Sequence, residues 1–349
     1  MVLLSVLDQS PVRTGSAPAE AIQETIRLAE AVDRLGYHRY WLAEHHSTPG
    51  LAGSSPEVLI GQVAARTSRI RVGSGGVMLQ HYSSLKVAES FRVLETLFPG
   101  RIDLGIGRAP GSDQLTARAL RENANVEYFP QQIADLQGFL HGALPPGHVY
   151  APVLAMPTGP TAPEMWLLGS SDASAAVAAH FGTGFSFAHF INQDGGAEVT
   201  RAYRRQFRPS EWLDTPRSSA AVFVVCADTE AEAQRLAKSR QLFIVRLYTG
   251  RAGRYPSIEE AETYPYTERE LAILRHAEQR TVAGNPEQVR ERLEALAADY
   301  EADELIVVTI THDFKARMRS YELLGEAFDL TGAVGGAAEG EPPVARRAT

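Results

Sequence analysis

The sequence predicts a (β/α)8 barrel, and three observations carry that prediction. Short apolar runs alternate with helical patterns along the chain, which is typical of a parallel sheet with crossover helices. The pattern repeats eight times, a number that favours a closed barrel over an open sheet. Polar residues follow most of the strand-like runs, at the carboxyl-terminal face where barrel enzymes hold their active sites.

The strand-like runs are short and apolar, and glycine, proline or a polar cluster follows most of them. In chain order they cover 2–7, 38–43, 70–79, 101–107, 165–170, 183–189, 220–227 and 303–310. Apolar residues at helical spacing predict helices over 19–36, 56–68, 84–98, 172–181, 195–207, 229–247 and 313–328. Before the last strand, Asn285 as a cap and Pro286 at the first helical position predict a further helix that extends to Tyr300.

Two connections are too long for a simple crossover, namely 108–164 after strand four and 228–302 after strand seven. Long loops at a barrel mouth commonly form lids or pocket walls, and a contact between two subunits is the alternative that stays open. We expect one domain over 1–330. The Gly- and Pro-rich stretch 331–349 is predicted to be a disordered tail.

The composition excludes several function classes. The chain has 349 residues, with 34 basic against 42 acidic side chains and a net charge of −8, so a nucleic acid is a poor partner by charge. No stretch reaches the ~18 apolar residues of a membrane span, and the N-terminus lacks the basic region of a signal peptide. We therefore expect no membrane partner and a cytoplasmic location. The one cysteine, Cys226, lies in an apolar run, which indicates a buried, unreactive thiol.

Three adjacent polar residues, Glu44, His45 and His46, follow the second strand. Adjacent residues of an extended strand point to opposite faces, so the two histidines are poorly arranged to bind one ion, and we predict no metal site. One histidine acting as a base or hydrogen-bond donor is the preferred interpretation. Two ordinary loop histidines are the structural alternative.

Glycines and hydroxyls follow the fourth and fifth strands. The stretch LGIGRAPG, 104–111, lacks the spacing and the acidic ribose ligand of a dinucleotide-binding fingerprint, so we interpret its glycines as room for a flat ring beside the backbone. Arg108 suits a phosphate, with a surface salt bridge as its alternative. Ser170 and Ser171 precede a helix start, where they form either a phosphate cradle or a plain cap.

Together and in this order, these stretches resemble the bacterial luciferase-like flavin monooxygenase family across about 1–330. The most specific are WLAEHHSTPGLAGSSPEVLIGQVAARTSRIRVGSGGVML, 41–79, and FPGRIDLGIGRAPG, 98–111. LLGSSDASA, 167–175, and the ending over 284–314 support them. The resemblance implies a (β/α)8 barrel, usually a homodimer, that binds reduced FMN at the carboxyl ends of its strands.

The resemblance also implies roles for individual residues. His45 matches the histidine that these enzymes use to promote oxygen chemistry, and Glu44 matches the acidic position beside the flavin. Glycine at position 107 replaces the cysteine of luciferase alpha chains, so we do not expect light emission. The other implied cofactor-binding positions are Gly75 and Gly76 behind the flavin ring, where the family often has a non-proline cis peptide, Gly107 and Arg108 at the flavin edge and phosphate, and Ser170, Ser171 and Ser174 in the phosphate-binding turn.

The function that this resemblance implies is oxidation of a small apolar substrate by O2 and reduced FMN. A separate reductase is expected to supply the reduced FMN, because the chain shows no nicotinamide-binding motif. Loops within 112–164 and 243–267 are expected to contact the substrate, and the candidate pocket residues are His46, His81, His189 and Tyr255. Two alternatives stay open: an F420-dependent hydride-transfer enzyme of the same fold, and a non-catalytic flavin-binding barrel.

Overall fold

Parallel strands form one sheet in the computed structural model, which describes residues 2–109, 111–121 and 126–330. The predicted tail, 331–349, lies outside the described residues. In chain order the strands are β1 Leu3–Asp8, β2 Arg39–Leu42, β3 Arg71–Met78, β4 Ile102–Gly107, β5 Glu164–Gly169, β6 Gly184–Phe187, β7 Ser218–Cys226, β8 Thr281–Gly284 and β9 Glu304–Val308.

The sheet closes on itself. From β1 to β7 each strand pairs with the next, and β9 pairs with both β7 and β1. These eight strands form a closed ring, so the predicted (β/α)8 barrel is confirmed. Outside the ring, β8 pairs with the far half of β7, where Val224 lies opposite Val282. The sequence pattern missed β8 because four residues within a long connection are too few to show a period.

Helices surround the ring and agree with the predicted helices to within about two residues at each end. Asn285 caps the helix before β9 by accepting a hydrogen bond from the backbone N–H of Gln288, as its position predicted. The helices are α1 Pro18–Leu35, α2 Pro56–Arg66, α3 Ser84–Leu97, α4 Gln114–Leu120, α5 Phe129–His141, α6 Asp172–Phe181, α7 Gly196–Gln206, α8 Glu230–Tyr248, α9 Ile258–Thr263, α10 Glu268–Gln279, α11 Pro286–Tyr300 and α12 Phe314–Ala327.

The two long connections hold the elements that the sequence pattern left unassigned. Between β4 and β5 lie α4 and α5, and between β7 and β9 lie the four helices α8 to α11 together with β8. Both connections therefore begin at the carboxyl-terminal end of the ring, where a barrel places its active site.

The strand side chains form two cores, one inside the ring and one outside it, because successive residues of a strand point to opposite faces. Val6 of β1 and Tyr40 of β2 pack outward against the helices. Leu7 and Trp41, their neighbours in sequence, pack inward with Trp166. The inward set fills the ring, so the space left for a ligand lies above it at the carboxyl-terminal end.

A network of paired charges closes the amino-terminal end of the ring. Arg39 is buried and lies 2.9 Å from Asp103, 2.9 Å from Glu304 and 3.2 Å from Glu164. Asp103 also accepts hydrogen bonds from Arg71. Burial alone would lower the pKa of Arg39, but the three carboxylates outweigh burial and raise that pKa above its ordinary value. The charges at this end are therefore satisfied by one another.

Cys226 is buried, with 1% of its surface exposed, and burial together with Asp228 raises the pKa of its thiol to about 12. The prediction of a buried thiol is confirmed, and the raised pKa keeps the thiol protonated at neutral pH. None of the helices in the described ranges combines the length and the apolar character needed to cross a membrane.

Candidate active site

A cavity of about 570 Å³ opens at the carboxyl-terminal end of the ring, and we call it the first cavity. Strands β1 to β6 or the residues that follow them line it. Every residue predicted to bind the cofactor or to act in catalysis lies on its wall: Glu44, His45, Gly75, Gly76, Gly107, Arg108, Ser170, Ser171 and Ser174. Residues far apart in the sequence thus meet at one site, as the strand-end argument requires.

One wall of the first cavity is made of glycines. The peptide bond between Gly75 and Gly76 is cis, as the resemblance implies, and the pairing of β3 with β4 shifts register between Ser74 and Val77. At Gly107 a methyl group in place of the hydrogen would meet no atom within 4 Å. The backbone of this wall is therefore open to a flat group of the kind expected from the sequence.

The wall of the first cavity also contains a cation and the start of a helix. Arg108 is exposed and makes no ion pair or hydrogen bond with the described residues. Ser171 caps α6, and its hydroxyl lies 3.0 Å from that of Ser174. These serines form the plain cap that was one of two interpretations, but the cap also presents its hydroxyls and the positive end of α6 to the cavity.

Glu44 is buried and its carboxylate is fully engaged. One oxygen accepts hydrogen bonds from the hydroxyl of Tyr82 at 2.6 Å and lies 2.7 Å from Nε2 of His46. The other oxygen accepts from the backbone N–H of Met78 at 3.0 Å. Glu44 therefore ties the end of β2 to the end of β3 and fixes the orientation of His46, which sequence spacing alone did not indicate.

His45 lies where the first cavity meets a second. Burial, with a smaller contribution from the adjacent His46, lowers the pKa of His45 to about 4. Its Nδ1 atom is buried and has no hydrogen-bond partner among the residues that the structure describes. The imidazole is therefore neutral at pH 7, when it can both donate and accept a hydrogen bond.

The second cavity has a volume of about 490 Å³ and adjoins the first along Gln9, His45, Gly111, Phe190 and Ile191. Two of the four candidate substrate-pocket residues, His46 and Tyr255, lie on its wall. Tyr255 stacks on Phe243 with ring centroids 4.0 Å apart. The predicted segment 243–267 supplies much of this wall, whereas the described part of 112–164 supplies only Ser112 and Asp113.

The other two candidate residues line neither cavity. Nδ1 of His189 lies 2.8 Å from the hydroxyl of Tyr300, beside α11. His81 is buried and its ring meets that of Tyr82 edge-on. Both histidines follow a strand in the sequence, but the backbone beyond each strand turns the side chain away from the open end of the ring.

Several residues that line the two cavities were not predicted from the sequence. Gln9 follows β1 and faces both cavities, and Phe190 and Ile191 follow β6 at the same junction. The strand-end position of Gln9 is a signal that could have identified it. Two arginines, Arg240 and Arg280, line the second cavity from helical segments, and nothing in their local sequence distinguishes them from surface arginines.

The sequence and the fold are similar to those of known proteins. The family model described as luciferase-like monooxygenase matches residues 1–302, and the chain belongs to that family. Its N-acetyl-S-alkylcysteine monooxygenase relative from Bacillus subtilis is 40% identical over 94% of this chain and 98% of its own length. The crystal structure of apo-MsnO8 is 42% identical, covers 95% of this chain and 98% of its own, and superposes with a TM-score of 0.87.

More distant structures share the fold and hold different cofactors. The oxygenating constituent of 3,6-diketocamphane monooxygenase from a Pseudomonas putida plasmid, in complex with FMN, is 19% identical and covers 94% of this chain and 97% of its own, with a TM-score of 0.68. An F420-dependent secondary alcohol dehydrogenase with an F420–acetone adduct is 10% identical and covers 95% and 99%, with a TM-score of 0.62. Proteins of this fold thus bind FMN or F420.

Family membership confirms the resemblance seen in the sequence. It makes the protein an oxidoreductase of the monooxygenase class. A small-molecule substrate and O2 follow from that class.

Proposed function

We propose that the protein is a two-component monooxygenase. It binds reduced FMN, delivered by a separate reductase, in the first cavity and uses O2 to oxidise a small organic substrate in the second. The observation that carries this proposal is that one cavity combines glycines, an arginine that makes no ion pair with the described residues and a helix start. When bound, reduced FMN supplies the electrons that activate O2.

The residues on the wall fit an FMN molecule. Gly107 leaves room for a flat ring system, since a methyl group there would meet no atom within 4 Å, and Gly75 and Gly76 line the same cavity. Arg108 and the Ser171 turn at the start of α6 offer a cation and free N–H groups for a phosphate. The same residues could also contact the phosphate of F420. F420 carries a longer anionic tail beyond its phosphate, so we expect it to fit this cavity less well than FMN does.

The chain's own contribution to the reaction is positioning and proton control. His45 lies between the two cavities, and its lowered pKa keeps it neutral at pH 7. It can hold a proton at a ring nitrogen beside both the cofactor and the substrate. Apolar side chains of the second cavity, among them Phe190 and Phe243, exclude water from the reacting groups.

The most direct test measures cofactor affinity under anaerobic conditions. We expect photoreduced FMN to bind more tightly than reduced riboflavin, which lacks the phosphate, and more tightly than reduced F420. Arg108→Gln should weaken FMN about 10- to 100-fold, the value of a lost charge-assisted hydrogen bond, and leave riboflavin unchanged. Arg205→Gln, an exposed arginine of α7, is the matched control and should change neither affinity.

The same experiment discriminates the alternatives. Tighter binding of F420 than of FMN would favour the hydride-transfer enzyme. A protein that binds reduced FMN without altering its rate of reoxidation by O2, relative to free FMN, would be a non-catalytic flavin-binding barrel. We expect an altered rate, and we expect His45→Gln to change that rate while FMN affinity stays the same.

The substrate class to test first is the one in the name of the 40% identical relative, the N-acetyl-S-alkylcysteines. Their alkyl groups suit the apolar wall formed by Phe223, Phe243 and Leu247. O2 consumption in the presence of a flavin reductase, NADH and FMN should rise on addition of such a compound. Detection of an oxygenated product by mass spectrometry would support the proposal, and release of H2O2 alone would count against it.

We also propose that the protein forms a homodimer and is cytoplasmic, as expected from the sequence. Light scattering coupled to gel filtration should give twice the mass of the chain. Cell fractionation should recover the protein with cytoplasmic markers. A monomeric mass would contradict the proposed homodimer.

A further inference from the structure

The second cavity is apolar on most of its surface but contains two buried arginines. Its apolar wall includes Phe190, Phe223, Phe243, Ile244 and Leu247. Arg240 and Arg280 also line it, with 5% and 6% of their surfaces exposed. An apolar pocket with a few convergent polar groups is the usual form of a small-molecule site.

Arg240 of α8 has no acidic partner. Among the described residues its hydrogen bond runs from Nη1 to Oγ1 of Thr281 at 3.1 Å, and it makes no ion pair. Its guanidinium carbon lies 3.1 Å from the centroid of the Phe223 ring. Its Nε atom is buried with no hydrogen-bond partner. The side chain thus retains donor capacity that the protein does not use.

Arg280, which follows α10, is likewise without a carboxylate. It donates hydrogen bonds to the backbone carbonyl oxygens of His276 and Ile191 and makes no ion pair within the described part of the chain. The acidic residue on the described wall of this cavity is Asp113. Asp113 is exposed, and its carboxylate accepts hydrogen bonds from the backbone N–H groups of Leu115 and Thr116 at the start of α4.

Burial of a charge without a counter-ion is costly, so two such arginines beside one cavity need a physical reason. Burial, together with the charge of nearby Arg280, lowers the pKa of Arg240 to about 9, although Tyr255 and Tyr248 oppose the change. Arg240 therefore stays charged at pH 7. A ligand that carries a negative charge into the cavity would supply the missing counter-ion.

We propose that the second cavity binds the carboxylate of an otherwise apolar substrate, with Arg240 and Arg280 as its ligands. This inference rests on the proposed function, because it takes the substrate to lie beside the cofactor. Arginine presents several N–H groups in a fixed plane, which suits it to carboxylates. The apolar wall then holds the remainder of the molecule, and His45 lies at the boundary with the first cavity.

Matched pairs of carboxylic acids and their methyl esters test the proposal by calorimetry. The panel contains N-acetyl-S-alkylcysteines with methyl to octyl groups, straight-chain alkanoates and arylacetates. We expect at least one acid to bind more than tenfold tighter than its ester. Arg240→Gln and Arg280→Gln should each reduce that preference to near unity. Arg235→Gln, on the solvent side of the same helix α8 where it pairs with Glu259, should leave the preference intact.

Equal affinity for acid and ester in every pair, including no binding by any member, would overturn the proposal. So would a loss of affinity for FMN but not for riboflavin in Arg240→Gln, because these arginines would then hold the phosphate of the cofactor. Circular dichroism of both variants checks folding, and removal of an unpaired arginine exposes no orphaned carboxylate. If the wild-type protein does not bind reduced FMN but still prefers the acid to the ester, the proposed function is wrong and the carboxylate site is still supported.

Discussion

Arg39 and Arg240 are both buried inside the same barrel, and each guanidinium lies over an aromatic ring. At the amino-terminal end, Arg39 has Asp103, Glu304 and Glu164 within 3.2 Å. At the carboxyl-terminal end, Arg240 has a threonine hydroxyl and no carboxylate among the described residues. The pKa of Arg39 is accordingly raised and that of Arg240 lowered.

This difference distinguishes charges that stabilise the fold from a charge that is available to a ligand. A charge cluster whose members satisfy one another closes the barrel and leaves nothing for a ligand. Arg240 gains no ion pair from the described residues, and it lies beside a cavity. Perturbed titratable groups of the second kind are candidates for binding or catalysis, and the two ends of this barrel show both cases in one chain.

The largest effect on stability is expected from Arg39→Met. The substitution leaves Glu304 buried without its cation and leaves Asp103 with Arg71 alone, which costs about 3–5 kcal/mol in the free energy of unfolding. Urea denaturation followed by circular dichroism measures this loss. Arg217→Gln, an exposed arginine that pairs with Glu164, is the control and should cost far less. A loss below about 1 kcal/mol for Arg39→Met would mean that this network of ion pairs does not stabilise the amino-terminal end of the barrel.

A smaller, pH-dependent effect is expected at His45. Its pKa is about 4 in the folded protein against an ordinary 6.5, so the unfolded chain binds the proton more tightly. The stability that His45 contributes is complete above pH 6.5 and is lost as the pH falls towards 4. Between pH 8 and pH 5 the wild type should lose about 1–2 kcal/mol more than His45→Gln. His141 also has a pKa lowered to about 4 by burial and Arg92, so the comparison between the two proteins, and not the slope of either, is the measurement. Identical slopes would contradict the burial of His45.

Glu164→Gln should have a weaker effect than either. Glu164 belongs to the amino-terminal network, but its side chain is 23% exposed and solvent screens its pairs with Arg39 and Arg217. We expect a loss below about 1 kcal/mol in urea denaturation. A loss close to that of Arg39→Met would show that the partly exposed carboxylate matters as much as the buried ones.

The smallest effect is expected from Arg240→Met, which tests the other side of the comparison. The variant removes a buried cation that has no counter-ion, so its stability should match or slightly exceed that of the wild type. The same urea denaturation, without added carboxylate, measures it. A destabilisation as large as that of Arg39→Met would show that Arg240 also stabilises the fold. It would contradict the difference that we infer between the two ends of the barrel.

Much of the first cavity could be predicted because it depends on strand ends. Glu44, Gly107 and Ser170 each follow or end a strand whose limits are visible in the local pattern. In a parallel barrel all such ends meet at one face. The prediction of which residues would face a common cavity therefore needed only the strand count and the family resemblance.

The same rule failed for His81 and His189, which lie near strand ends but line neither cavity. Each side chain is held by a neighbour, Tyr82 or Tyr300, and Tyr300 is more than a hundred residues from His189 in the chain. The strand β8 and the arginines Arg240 and Arg280 of the second cavity were also missed, since all lie within the connection 228–302. Long connections pack by tertiary contacts that leave no periodic pattern.

By itself the sequence determined the barrel, its family and the glycine and arginine positions of the first cavity, because these depend on local periodicity and on motifs a few residues long. Only the tertiary structure decided which charges are paired. The sequence around Arg39 and around Arg240 shows neither the presence nor the absence of an acidic partner, since no acidic residue lies within four positions of either arginine. The carboxylates that satisfy Arg39 come from three other strands, whereas none approaches Arg240 in the described structure. Coulomb interactions depend on distance in space, so long-range folding makes one arginine part of the framework and leaves the other facing a cavity.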